Sequence, residues 1–444
     1  MHAVCFMVVS EFQKLPFIES TLTYYPDRWL NLLTHSQLPP LTDPHKTIVV
    51  TGVGVVSPYG IGLDCLQVGM LSGKCCLEPT KGAVYPGFEG AIAQVRELPP
   101  LGEHSNPQYS RTDQLAVMAT QDAMASSGSD RSAFVDGGIV MASTLGGLTE
   151  IDTGIARDPA AWYRGRGGLL RAASYPFAHV ADAMGEHFGI RGPRCAISVA
   201  CASGAMAIAL AANMLLDGAV PIVLAGGCDP LCPFTLSGFN SLRALDPNPC
   251  SPFDQNRKGL NLGEGSAVLV LETLAGATAR NANVLAVLRG WAMTNDAFHP
   301  TAPQKEGSGL ADCIRLSMEM AEVSGDEIGY VNAHGTGTPL NDSAEAQSYE
   351  TAFRGRNLPI PVSSTKSYFG HCLGAAGALE AAITIMAIRA GTLLPTLRLI
   401  NPIETPGVDW LRGEVKRQPL PLAMSASSGF GGSNTVLIFE SRPS

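Results

Sequence analysis

Charge is scarce in this 444-residue chain: only 16% of its residues are Asp, Glu, Lys or Arg. Lys and Arg total 30 against 39 Asp and Glu, a formal net charge of −9, and the basic residues form no runs. Such a chain lacks the phosphate-neutralising surface that dominates nucleic-acid affinity, so general nucleic-acid binding is excluded. No stretch of 18 consecutive apolar residues occurs, which argues against a membrane-spanning helix. The amino terminus lacks a secretory pattern, because Glu11 and Lys14 directly follow its only apolar run. The 11 cysteines are an odd number in a long chain, which suits reduced thiols in the cytoplasm better than a disulfide framework. Cys228 and Cys232 come nearest to a metal pair. No second pair at zinc spacing accompanies them, so no metal site is expected.

What is present is apolar. Hydrophobic residues make up 45% of the chain, too many for a disordered polymer and enough for a large core. The length corresponds to two to four domain-sized units, and the 48 glycines point to tight turns and close helix packing. Residues 1–46 differ from the rest. They hold Tyr24, Tyr25 and Trp29, carry Arg28 as their only Arg, and run out through Pro39, Pro40 and Pro44. They are expected to be a loosely attached extension.

The organised part begins at Thr47. Ile48-Val49-Val50 is a β-branched run expected to close at Gly52 and Gly54. Gly52-Val53-Gly54-Val55-Val56-Ser57 approaches a dinucleotide fingerprint but has Ser57 in place of the third glycine, so a nucleotide-dependent oxidoreductase is not supported. Gly138–Met141, Ile222–Ala225 and Ala267–Leu271 read as further buried strands, the second ending at Gly226-Gly227. Strands alternating with helices imply an α/β protein with a mainly parallel sheet covered on its faces. Ala202–Gly218 aligns with Ala375–Gly391, sharing Ala202/Ala375, Gly204/Gly377, Ala205/Ala378, Ala209/Ala382 and Gly218/Gly391. Two unrelated Ala-rich core helices, or a duplicated α/β unit with its two helices packed at the centre, both fit.

Four segments carry chemistry-bearing residues. In Ser198–Gly204, apolar residues precede Cys201 and a helical pattern follows it. The amino end of a helix places free N–H groups and partial positive charge beside the sulfur, which is expected to lower the thiol pKa. A buried packing cysteine explains the thiol taken alone, and Cys195 is assigned such a structural role. In Val331–Pro339, a short strand ends at His334, at the sheet end where open α/β folds place their sites. Thr336 and Thr338 follow in a Gly-rich loop able to admit an extended ligand. Ser363–Gly377 holds Lys366 and His371, and Glu380 is an available partner for the lysine, a pairing that is largely structural. Ser427–Asn434 is a Gly-rich turn whose backbone N–H groups can face an oxyanion; a plain turn before the last strand explains it nearly as well.

Together these segments resemble the β-ketoacyl-[acyl-carrier-protein] synthases, the condensing enzymes of the thiolase fold, over about Thr47 to Glu440. Asp254-Gln255-Asn256-Arg257 and Leu262-Gly263-Glu264-Gly265 add to the resemblance. The order Cys–His–His, with Lys five residues before the second His, is similar to the elongating branch rather than to the Cys–His–Asn branch or the thiolases. The resemblance implies duplicated βαβαβ halves in a five-layered α-β-α-β-α arrangement. Residues 47–275 would carry the nucleophilic Cys, and residues 276–444 the two His.

It further implies that Cys201 holds an acyl chain as a thioester. Backbone N–H groups of Cys201 and Phe430 would bind the oxyanion, and His334 and His371 would stabilise the enolate left when malonyl-carrier protein loses carbon dioxide. Lys366, tied to Glu380, would organise the pocket. Thr336 and Thr338 would touch the pantetheine arm, and Phe430 would gate the acyl tunnel. No cofactor is implied beyond the carrier protein's phosphopantetheine. The implied partners are an acyl carrier protein and a second copy of the chain, or alternatively a chain-length partner. The acidic carrier calls for a local basic surface, for which Arg157, Arg164, Arg166 and Arg171 are candidates. Three positions depart from the family pattern: Ser428 stands where Phe is usual, Ser433 for Thr, and Lys258 for Asp. Gly227–Asn240 resembles ketosynthases of aryl-polyene-type clusters. A non-catalytic chain-length partner is the competing reading, and retention of Cys201 argues against it.

Overall fold

The computed structural model describes residues 43–80, 88–101, 106, 108–157 and 173–442. Most of the proposed extension, residues 1–42, lies outside them. Its last residues do not behave as loose chain: the Pro44 carbonyl accepts the Ala275 N–H at 2.9 Å, and the Asp43 carbonyl accepts that of Thr47 at 2.9 Å.

Two runs of strands and helices repeat one topology. In the first, the strands are β1 (Ile48–Ser57), β2 (Gly138–Ala142), β3 (Arg194–Ile197), β4 (Ile222–Asp229) and β5 (Gly265–Thr273). Besides a helix at Leu63–Leu71, the intervening helices are α1 (Arg111–Ser126), α2 (Leu148–Arg157), α3 (His179–Phe188), α4 (Ser203–Leu216) and α5 (Pro233–Ser241). The second run comprises β6 (Ala286–Asn295), α6 (Ser308–Ala321), β7 (Val331–Asn332), α7 (Pro339–Ala352), β8 (Ile360–Ser363), α8 (Lys366–Phe369), α9 (Ala376–Ala390), β9 (Val408–Trp410), β10 (Leu422–Gly429) and β11 (Ser433–Glu440).

The first run has the spatial order β3-β2-β4-β5-β1 and the second β8-β7-β10-β11-β6, with β9 added outside β8. Numbering the five strands of each run along the chain, both orders read 3-2-4-5-1. In each run the third, second and fourth strands are parallel, and the fifth and first are antiparallel to their neighbours. The two runs join where Ile48–Val50 pairs with Ala286–Leu288. The point between residues 275 and 276 falls in a short helix, Leu274–Ala279.

Helices α4 and α9 occupy the same place in the two repeats, between the third and fourth strands, and are the two segments with the shared Ala/Gly pattern. They pack against each other through glycine. A Cβ at Gly204 would lie 2.7 Å from the Ala378 nitrogen, and one at Gly377 would lie 2.6 Å from the Ala205 nitrogen. That resolves the open choice in favour of a central helix pair, because only hydrogen at these positions lets the two backbones come so close.

Glycine has the same use in the strands, which corrects two expectations. Strand β1 does not close at Gly52 and Gly54 but runs through both to Ser57. Cβ atoms there would lie 2.3 Å from the Ala123 carbonyl oxygen and 1.9 Å from that of Ala119, so these glycines let α1 press onto the strand. Likewise β4 continues through Gly226-Gly227 to Asp229, where added Cβ atoms would strike Ala267 and Gly374. The segment Leu373–Ala390 is apolar and long enough to cross a bilayer, with mean hydropathy 1.5, but 89% of it is buried inside the protein. It is the central helix of the second repeat together with the turn before it.

Replacing Gly377 with valine is expected to destabilise the fold by about 1–3 kcal/mol or more. Calorimetry should show a lower Tm for Gly377→Val. An unchanged Tm would mean the helix pair is not tightly packed.

Candidate active site

Cys201 sits at the start of α4. Strand β3 ends at Ile197, and the chain turns sharply through Ala200, whose φ of 51° is left-handed and unusual for a residue with a Cβ. Ser203 holds the turn: its hydroxyl accepts the Val199 N–H at 2.8 Å and donates to the Ala200 carbonyl at 2.5 Å. The sulfur is nearly enclosed, with Cys201 8% exposed. Burial pushes its thiol up to about 12, while Lys366 acts in the opposite direction. The expectation of a lowered thiol pKa is therefore corrected: enclosure, with the Asp229 and Glu380 carboxylates nearby, outweighs the favourable contacts. The backbone N–H of Phe430 acts with Lys366 to lower the thiol pKa, but by less than enclosure raises it.

The loop after β7 carries His334. Two buried carboxylates on α7 shape it, and neither was singled out from sequence. Glu345 accepts the N–H groups of His334 and Gly335, both at 2.7 Å, and the Tyr349 hydroxyl at 2.6 Å. Asp342 accepts the Thr336 N–H at 3.0 Å and the Phe253 N–H at 2.8 Å. Burial pushes Glu345 up to about 7. A signal was available: Pro339 opens the helix, and Asp342 falls in its first turn, where carboxylates suit the exposed N–H groups.

Lys366, at the start of α8, is 2% exposed and uses every donor of its ammonium group. It contacts Glu380 of α9, donates to the His334 carbonyl at 2.6 Å, and lies 3.2 Å from His334 Nδ1. Burial pushes Glu380 up to about 7 against the pull of this lysine. With an ammonium facing Nδ1, that nitrogen must accept, so the His334 ring proton resides on Nε2. His371 reaches the same state by another route: its Nδ1 accepts the Leu373 N–H at 3.0 Å. Its Nε2 is buried without a hydrogen-bond partner. Both imidazoles are held well below their usual pKa by burial, with the Lys366 charge adding to it. The two rings meet edge to face, 5.3 Å between centroids.

Cys201, His334 and His371 converge from three distant parts of the chain, with one atom from each (Sγ or a ring nitrogen) lying within 4.8 Å of the others. Such a trio could ligate a metal, but the tautomers oppose it, since each Nε2 carries the proton that a metal would have to replace. Together these residues line a cleft of about 270 Å³ with Thr336, Thr338, Ser428 and Phe430. Phe430, 38% exposed, packs against Phe239 of α5 with the rings tilted by 31° and their centroids 5.7 Å apart, a contact that the sequence did not reveal. The turn approaches Cys201 closely because residue 429 is glycine: a Cβ there would sit 3.1 Å from the Cys201 and Ala202 nitrogens. The loop after β6 grips it, as the Pro300 carbonyl accepts the Gly431 N–H at 2.7 Å. Cys195 lies apart in β3. Arg164, Arg166 and Arg171 lie outside the described residues, as does the side chain of Arg157. Among described residues the basic groups lining the cleft are Arg243 and Lys258, both exposed.

A duplicated α/β fold with an enclosed thiol facing two neutral imidazoles defines a thiolase-like condensing enzyme. Residues 45–277 match the family described as "Beta-ketoacyl synthase, N-terminal domain", and residues 285–399 its C-terminal domain. The chain belongs to the β-ketoacyl synthase family. It is 33% identical over 417 residues to the chloroplastic 3-oxoacyl-[acyl-carrier-protein] synthase I of Hordeum vulgare, covering 90% of each chain. It is 32% identical to the tetracenomycin polyketide synthase ketoacyl synthase alpha subunit of Streptomyces glaucescens, covering 88% of this chain and 96% of that one. Among solved structures, a β-ketoacyl synthase from Burkholderia phymatum superposes with a TM-score of 0.81 at 30% identity, covering 90% of this chain and all of that one. The chain is an acyltransferase that elongates by Claisen condensation, with substrates carried on phosphopantetheine.

Nitrogen-detected NMR is expected to find both imidazoles neutral with the proton on Nε2 from pH 8 down to pH 6. Because folding holds these pKa values below the unfolded value of about 6.5, the unfolded chain binds protons first on acidification. Their contribution to stability is therefore present above that pH and declines below it. Either ring titrating near pH 6.5 would contradict the assignment.

Proposed function

We propose that Cys201 takes the acyl group and that His334 and His371 act on the extender. The observation that carries this is the convergence of the sulfur and the two rings in one enclosed cleft. In the first half-reaction the Cys201 sulfur attacks the acyl thioester. The oxyanion is held by the Cys201 and Phe430 N–H groups, and the thiol proton leaves with the departing pantetheine sulfur. Enclosure disfavours a free thiolate, so the anion forms only when the carbonyl arrives.

Malonyl-carrier protein then enters. The Nε2–H groups of His334 and His371 donate to its thioester oxygen. As the carboxylate departs as carbon dioxide, charge grows on that oxygen and both hydrogen bonds strengthen. The enolate carbon attacks the acyl-Cys201 carbonyl and releases the sulfur, which takes up a proton. Neutral donors suit this step, because an imidazolium would give its proton to the enolate and quench the nucleophile. Lys366 and Glu380 hold the His334 tautomer, and Thr336 and Thr338 contact the arm.

The carrier docks where Arg243 and Lys258 face solvent at the mouth of the cleft, since opposite charges steer such an encounter. The chain acts in the cytoplasm as a homodimer. Supporting the dimer, β3 is the outer strand of its sheet, with a free edge among the described residues. Retention of Cys201 in this setting disfavours a purely chain-length-setting role.

Cys201→Ala is expected to abolish condensation while leaving carbon dioxide release from malonyl-carrier protein measurable. His334→Ala and His371→Ala are each expected to slow that release at least about 100-fold. Wild-type condensation in the first variant, or wild-type release in either of the others, would overturn the assignment. Arg243→Glu should raise KM for the carrier-bound substrate but not for a short thioester. An equal effect on both would remove the docking role.

A further inference from the structure

One stretch of the cleft wall is polar in a way that the reaction scheme leaves unused. Ser428 and Asn434 face each other across the β10–β11 hairpin, and both line the cleft beside Cys201, as does Asp296. Their hydrogen bonds have only one consistent direction. Asn434 Nδ2 donates to Asp296 Oδ1 at 2.8 Å and to the Gly432 carbonyl at 3.2 Å, both acceptors, which fixes the orientation of the amide. Asn434 Oδ1 is then an acceptor, and the Ser428 hydroxyl donates to it at 2.8 Å. Asn434 is only 4% exposed, so this network is built in. Gly309 makes room for it, as a Cβ there would lie 1.9 Å from Asp296 Oδ1.

The outcome is a wall whose protons are all committed inward. Ser428 Oγ and the Asp296 carboxylate offer only lone pairs to the cleft; the other Asp296 oxygen accepts the Gln304 N–H at 3.2 Å. A saturated acyl chain against this wall would desolvate acceptors without repayment, and a ketone would bring acceptor to acceptor. A hydroxyl group would find a partner.

We propose that Ser428, oriented by Asn434 and Asp296, is a specificity-determining residue that accepts a hydrogen bond from a hydroxyl near the thioester end of the acyl chain, so that the site favours 3-hydroxyacyl over saturated or 3-oxoacyl groups. Position supports this chain segment as the occupant. Ser428 directly precedes Gly429, which abuts the Cys201 nitrogen, whereas Thr336 and Thr338 line the cleft from the His334 loop. The proposal rests on Cys201 being the acyl acceptor.

The test is the rate at which butanoyl, 3-hydroxybutanoyl and 3-oxobutanoyl thioesters of N-acetylcysteamine acylate Cys201, followed by intact mass. The full chain should favour the hydroxylated thioester over the saturated one by about five-fold or more, and Ser428→Ala should remove most of that ratio. Ser428→Val, which puts a β-branched residue in the strand and has no acceptor, gives the same comparison should the alanine variant fail to fold. An unchanged ratio in the variant would overturn the proposal. So would an equal loss for all three thioesters, which would place the donor in the arm rather than in the acyl chain. No adduct from any thioester on the unmodified chain would bring down the nucleophile assignment itself, and this proposal with it.

Discussion

A single buried ammonium organises the site. Lys366 is enclosed where an unpaired charge would be costly, so its three donors must all find acceptors. They find Glu380 on the central helix, the His334 carbonyl, and His334 Nδ1. The third contact turns a solvation requirement into chemistry. A cation at Nδ1 dictates which ring nitrogen carries the proton and opposes a second charge on the ring. His371 arrives at the same tautomer through the Leu373 amide, and Leu373 itself holds a φ of 52°. Two different devices thus occupy Nδ1 of each ring and leave its proton on Nε2.

Bringing those donors to Cys201 is the task of the duplicated fold. Cys201 lies just before α4 and the turn bearing His371 leads into α9, so the contact between these helices sets the distance between the Cys201 sulfur and the His371 imidazole. Glycines at 204 and 377 make that contact possible. Asp229, at the end of β4, reinforces it. Its carboxylate accepts from Ser143 and Thr144 of the first repeat and, at 2.7 Å, from the Gly374 N–H in the turn after His371.

Much of this was legible in the chain itself. The Ala/Gly pattern shared by residues 202–218 and 375–391 picked out the two helices and left open whether they pair, and the resemblance carried by the order Cys201, His334, Lys366, His371 picked out the residues that meet in the cleft. What was not legible has physical causes. Gly52, Gly54, Gly226 and Gly227 looked like strand ends because a glycine that admits a neighbouring backbone is locally indistinguishable from one that makes a turn. The thiol's raised pKa depends on enclosure by residues remote in sequence. Glu345 and Asp342 went unremarked because their role comes from the His334 loop folding back over α7, a contact that local spacing does not encode. The ring contact of Phe239 with Phe430 joins two segments nearly 200 residues apart in the chain.

In the proposed reaction two neutral imidazoles donate together to one carbonyl beside Cys201. The infrared stretch of a carbon-13-labelled acetyl thioester carbonyl, which has no carboxylate to lose, bound to Cys201→Ala measures it directly. The band is expected well below its position in water, moving part of the way back when either His334 or His371 is also replaced. A band at the aqueous position, or one indifferent to both replacements, would contradict it.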